Sequence, residues 1–144
     1  PEMFVRYAQI AALMPVMQFS ASPWRVLPEA DFQKVKAALA LREKCLPEIF
    51  KAVECAKVTG EPIARSMEFV FPGQGMERVM DQFMVGEDLL VAPVWKQGKA
   101  ARSVRLPEGQ WRCVGLGETE GDVLDGGRDV ILGENEGLVV LKRV

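Results

Sequence analysis

The chain contains no histidine, so any acid–base or nucleophilic chemistry within its 144 residues rests on carboxylates, thiols and hydroxyls. A serine triad and an imidazole-ligated metal are both excluded within these boundaries, because each needs an imidazole near neutral pH. Glu87 and Asp88 form the densest acidic pair, yet neighbours along a strand point to opposite faces and cannot converge on one substrate. They read as turn and edge residues. Asp122 and Asp125 lie among Gly121, Gly126 and Gly127, which is ordinary turn composition. Glu2 and Glu61 read as the starts of a helix and a strand, respectively. Cys45 and Cys55 fall in one helical pattern, about 15 Å apart along its axis and beyond disulfide reach. With Cys113 also unpaired, the thiols read as buried groups of a reducing compartment, which favours the cytoplasm. No spacing suggests a metal, and no cofactor is implied.

The remaining composition narrows the partners. An apolar content of 49% supports a real core, and 18 basic against 20 acidic residues leave neither sign in a long run. Nucleic acid and anionic membranes are therefore not implied as partners. The longest apolar runs, such as Leu89 to Trp95, fall far short of the roughly 20 residues that span a bilayer.

Helical spacing of Phe4, Tyr7, Ala8 and Ala11 predicts a helix over Glu2 to Leu13, with Pro1 where its missing N–H costs nothing. Pro15 ends that pattern, and Met14 to Ser20 is short, apolar and bounded, as a buried strand would be. Ser22 to Leu27 reads as loop. Pro28, Glu29 and Asp31 suit a second helix start, and Phe32, Val35, Leu39, Leu46, Ile49, Phe50 and Val53 mark its face up to Gly60. Pro47 predicts a kink or a break within it.

After Gly60 the period changes to two, with Ile63, Met67, Phe69 and Phe71 on one parity. Asp88–Val94, Arg102–Leu106, Gln110–Val114, Val130–Leu132 and Leu138–Leu141 are further strand candidates between Gly, Pro and Asp turns. The expected fold is α+β: residues 1–60 helical around one buried strand, residues 61–144 an antiparallel β-sandwich. A buried parallel strand needs neighbours on both sides, so residues 1–60 read as the closing segment of a larger α/β structure. Met14, Met17, Met76, Met80 and Met84 read as core filling, and Trp95 and Trp111 as packing. Arg65 sits on the apolar parity and is expected to pair with a carboxylate.

Several long motifs then stand in order. Pro1-Glu2-Met3-Phe4-Val5-Arg6-Tyr7-Ala8-Gln9, Met14-Pro15-Val16-Met17-Gln18-Phe19-Ser20 and Pro23-Trp24-Arg25 resemble the last barrel unit of glycoside hydrolase family 31. Leu41-Arg42, Thr59-Gly60-Glu61-Pro62-Ile63-Ala64-Arg65, the stretch Asp81 to Val94 and Leu106-Pro107-Glu108-Gly109-Gln110-Trp111 resemble its path into the proximal C-terminal β-domain. Ordered long motifs are far more specific than a single short pattern.

The resemblance implies that Met14–Ser20 is strand eight of a (β/α)8 TIM barrel, whose site lies at the C-terminal ends of its strands. Gln18, Phe19 and Ser20, with Trp24 in the following loop, would then face a bound sugar. Trp24 would stack on the sugar or cap the rim, and Gln18 and Ser20 would bind hydroxyls or satisfy backbone. The implied activity is retaining hydrolysis of α-linked glycosides, alpha-glucosidase-like, by two carboxylates about 5 Å apart. By analogy both carboxylates lie on earlier barrel strands, so no catalytic residue is assigned here. Family members cleaving α-glucosides commonly carry a histidine near the Ser20 position; this chain has none, which leaves the sugar open. The expected partner is a carbohydrate substrate, with self-association through barrel surface left uncovered. The alternative is a non-catalytic carbohydrate-binding or structural β-module.

Overall fold

The computed structural model describes residues 1–98, 101–115, 121–133 and 137–144. Helix α1 spans Glu2–Ala12, with Pro1 at its cap and the Glu2 carboxylate in its first turn, where the helix dipole favours a negative charge. Its inward face buries Val5, Ala8, Gln9 and Ala12, whereas Tyr7 turns out to solvent. Pro23–Val26 forms one helical turn, α2, where the sequence predicts loop; Pro23 sits at its first position, where a fixed φ favours the turn.

Helix α3 runs unbroken over Glu29–Thr59 and ends at Gly60, whose φ of 77° is the left-handed cap that glycine adopts without strain. Pro47 lies inside it, so the predicted break into two helices does not occur. Leu41 and Cys45 before the proline, and Ile49 and Ala52 after it, are buried in one cluster. That shared burial offsets the hydrogen bond which proline removes, and the Pro47 ring faces solvent.

The strands are β1 (Ala64–Ser66), β2 (Phe83–Val85), β3 (Leu89–Pro93), β4 (Arg102–Arg105), β5 (Gln110–Cys113), β6 (Val123–Asp125), β7 (Asp129–Leu132) and β8 (Leu138–Arg143). Six of them form one sheet in the order β1-β2-β3-β8-β5-β6, antiparallel throughout, and β4 pairs with β7 in a second sheet. The strand pattern predicted from Ile63 to Phe71 stops at Ser66, whose hydroxyl accepts the Phe69 N–H at 3.3 Å and starts a helical turn, α4 (Met67–Val70). A local serine cap thus overrides the alternation.

The six-stranded sheet is covered on both faces. Leu90 and Ala92 of β3, with Val139 and Leu141 of β8, join Met84, Val104, Leu106, Trp111 and Leu132 in the core between the sheets. Leu89, Val91, Leu138 and Val140 point the other way, onto Ala12, Ala38, Leu41, Cys45 and Ile49 of the helices. Two-residue alternation therefore feeds two cores, which is why β3 reads as an unbroken apolar run. Trp111 is wholly buried against the edge of Phe71, and its ring N–H donates to the Pro107 carbonyl at 2.9 Å.

Met14–Ser20 forms no strand. It bends over residues 14–16 and continues unpaired, and no described strand pairs with it. A strand exists through its neighbours' hydrogen bonds, and here the Arg42 guanidinium of α3 takes the Met14 and Pro15 carbonyls instead. No described helix is long and apolar enough to cross a membrane.

Candidate functional site

The segment after α1 is held in place by one side chain of α3. Arg42 Nη1 donates to the carbonyls of Ala12 at 2.8 Å and Met14 at 2.6 Å, and Nη2 donates to Pro15 at 3.1 Å. Carbonyls at a helix end lack the next turn's donors, and a guanidinium fork supplies several at once. Helix, bend and extended segment are therefore fastened to one charged group.

Beyond this clamp the burial alternates. Val16, Gln18 and Ser20 are exposed, whereas Met17 and Phe19 are half-buried against Val5, Ala8 and Val35. The Phe19 ring stacks parallel on Phe4, with centroids 6.0 Å apart and planes 1° from parallel. An extended backbone turns successive side chains to opposite sides, so seating Met17 and Phe19 turns Gln18 and Ser20 outward. Trp24, on the short α2, is 65% exposed.

The four predicted residues thus divide. Gln18, Ser20 and Trp24 present an amide, a hydroxyl and an indole face to solvent, while Phe19 rests on α1 as support. An amide and a hydroxyl can donate to and accept from a polyol, and an indole offers a flat apolar surface to C–H groups. Arg42 was visible in the sequence only within the Leu41-Arg42 motif. A charged residue beside a buried helix position was the available signal, but its partners are nearly thirty residues away.

The acidic residues are engaged elsewhere. Glu87 and Asp88 occupy the β2–β3 turn, where Glu87 faces Arg65 at 3.6 Å and Asp88 pairs with Lys51. The Lys51 ammonium is held above its ordinary pKa by the hydrogen bond and charge of Asp88. Arg65 is buried, bonds Glu61 at 3.0 Å, donates to the Pro62 carbonyl at 2.8 Å and lies 5.6 Å from the Phe69 ring centroid. The carboxylate pairing expected of Arg65 is present, and it ties the first hairpin together near the end of α3. Asp125 lies in β6 opposite Gln110. Burial, with the charge of Glu48, pushes the Cys45 thiol up to about 11, so it is no ready nucleophile. Cys55 is half-exposed, departing from the expected burial, with its sulfur 3.9 Å from Arg65 Nη2.

Comparison with known proteins gives this arrangement a lineage. Residues 60–130 match the glycosyl hydrolase family 31 C-terminal domain. The chain is 38% identical over 112 residues to the myogenesis-regulating glycosidase of Mus musculus, a match covering 77% of this chain and 16% of that protein. It is 31% identical over 127 residues to the isomaltosyltransferase of Sporosarcina globispora, covering 76% of this chain and 12% of that protein. The chain therefore spans less than a fifth of either relative. A family 31 α-xylosidase from a soil metagenome, solved with xylose, superposes with a TM-score of 0.81 at 28% identity, over 96% of this chain and 24% of that one. The fold is shared together with the sequence, and this chain belongs to glycoside hydrolase family 31.

Proposed function

We propose that the protein to which this chain belongs is a retaining glycosidase acting on α-linked glycosides, and that Gln18, Ser20 and Trp24 line one wall of its sugar site. The observation that carries this reading is the outward face of residues 16–20, fixed from behind by Arg42 and by the Phe19–Phe4 stack. In this reading Met14–Ser20 becomes strand eight of a (β/α)8 barrel once neighbouring strands flank it. Residues 1–60 then close the barrel, and residues 61–144 form the β-domain that braces it.

The chemistry needs a nucleophilic carboxylate and a carboxylic acid on opposite sides of the glycosidic bond, about 5 Å apart. Glu61, Asp81, Glu87 and Asp88 are each committed to a cation, at Arg65, Arg102, Arg65 and Lys51 respectively. By analogy with the family, the catalytic pair is assigned to sequence outside this chain. Gln18 and Ser20 would orient sugar hydroxyls, and Trp24 would exclude water from one sugar face.

A second outcome for the same glycosyl–enzyme intermediate is transfer to a sugar hydroxyl instead of water. The 31% identity to an isomaltosyltransferase supports this outcome beside hydrolysis.

The test is turnover of aryl α-glucoside, α-galactoside and α-xyloside by the longer protein and by this chain, with product analysis. Turnover by the longer protein alone is expected. Turnover by this chain would overturn the assignment of the carboxylates. Failure of both would favour a binding or structural module.

A further inference from the structure

The end of β3 presents an aromatic side chain that the reading above does not use. Leu89 to Val94 are all buried, and the next residue, Trp95, is 58% exposed. The backbone beneath it is fastened on three sides. The Val94 N–H donates to the Gly137 carbonyl at 2.8 Å, Arg102 Nη1 donates to the Pro93 carbonyl at 2.9 Å, and the Gly98 N–H donates to Glu2 Oε1 at 3.0 Å. An exposed indole on an anchored turn loses little freedom when a ligand settles on it.

Grooves open beside the ring. One, of about 380 Å3, runs between Trp95, Asp81, Arg102 and Ser103. Another, of about 400 Å3, is bounded by Met80, Gln82, Phe83 and Pro93. Met80 is 87% exposed, so it walls a groove and does not fill a core as its sequence suggested. Of the charges in these walls, Arg102 and Asp81 are paired at 2.7 Å, which leaves the Lys96 ammonium. With one ammonium and no free carboxylate in these walls an anion has a single charge to meet, whereas a neutral polyol finds donors and acceptors around one flat apolar face. The Lys96 ammonium, 5.2 Å from the ring centroid, adds a further donor.

We propose that Trp95 and its flanking grooves form a second saccharide-binding surface, which takes a neutral oligosaccharide by stacking one pyranose ring on the indole. The choice of saccharide as ligand rests on the family reading; the surface itself needs neither Gln18–Trp24 nor a catalytic pair. It would hold an oligomeric substrate on the protein between cleavage events.

The test titrates the full chain with neutral α-gluco- and xylo-oligosaccharides, from mono- to pentasaccharide, while following the indole N–H resonances. The Trp95 resonance should shift saturably, with affinity rising with oligomer length. Trp95→Ala should weaken binding by about tenfold, Trp95→Phe should retain part of it, and Phe50→Ala, an exposed change on α3, should leave it unchanged. Absence of a saturable Trp95 shift, or equal affinity in Trp95→Ala, overturns the proposal. If the longer protein hydrolyses glycosides while either of those results holds, this surface alone is refuted and the glycosidase reading stands.

Discussion

Arg42 Nη1 lies 2.6 Å from the carbonyl oxygen of Met14, so a residue in the middle of α3 fixes the bend that leads to the exposed Gln18 and Ser20. The same nitrogen reaches Ala12, and its neighbour reaches Pro15. Arg42→Ala should destabilise the chain by about 2 to 4 kcal/mol, since charge-assisted hydrogen bonds to three carbonyls are lost together. Arg42→Lys should recover only part, because an ammonium cannot reproduce the fork. Denaturant unfolding measures both. In the longer protein, Arg42→Lys should raise KM for an aryl glycoside more than Gln33→Ala, an exposed change on the same helix.

Gln18, Ser20 and Trp24 should behave differently from Phe19. In the longer protein, Gln18→Ala and Trp24→Ala are expected to weaken catalytic efficiency by about tenfold or more, with melting temperature nearly unchanged, because both side chains are exposed. Phe19→Ala should lower the melting temperature, since it removes the stack on Phe4. Equal thermal losses in all three variants would contradict the assignment of outward and inward sides.

Gly126 is required for space and not for a left-handed backbone. A Cβ there would stand 1.8 Å from the Pro107 carbonyl oxygen and 2.9 Å from that of Gly109. Gly126→Ala must therefore move backbone, and should lower stability by about 1 to 3 kcal/mol, whereas Gly109→Ala meets no atom and carries only its positive-φ strain. Paired thermal melts of the two variants check this ordering.

Cys45 should give the chain an alkaline stability loss. Its thiol is pushed from an ordinary 9.0 up to about 11 by burial, so the folded state holds a proton that the unfolded state releases. Stability from this group is fully present below about pH 9 and is lost as pH rises to about 11, at most about 3 kcal/mol. Cys45→Ala should flatten that slope relative to the parent in denaturant titrations between those limits. An unchanged slope would count against the shift.

Met3, Tyr7, Val16 and Trp24 are all strongly exposed on or next to the α1–α2 region. This chain alone is expected to self-associate or bind a hydrophobic dye, whereas the longer protein is not. Sedimentation and dye fluorescence on both decide it; a monomeric chain without dye binding would argue against these residues meeting a barrel.

Helix α1, most of α3 and five strands were legible in the sequence, because apolar spacing of 3.6 or 2 residues records which faces are buried. Family membership was legible too, carried by long ordered motifs. Met14–Ser20 has the composition of a buried strand but stands unpaired among the described residues, because composition can show that a segment suits pairing but cannot supply the neighbour. The turn at Met67–Val70 was hidden for a related reason, since one serine hydroxyl outweighed an otherwise correct alternation. Arg42 and the Trp95 surface belong to the tertiary structure alone. Arg42 acquires its role only when α3 folds back against the end of α1, and Trp95 only when Arg102, Glu2 and Gly137 fasten the turn beneath it. Residue type and local spacing determined which faces must be buried and to which family the chain belongs; contacts between residues distant in sequence decided which polar and aromatic groups were left facing out.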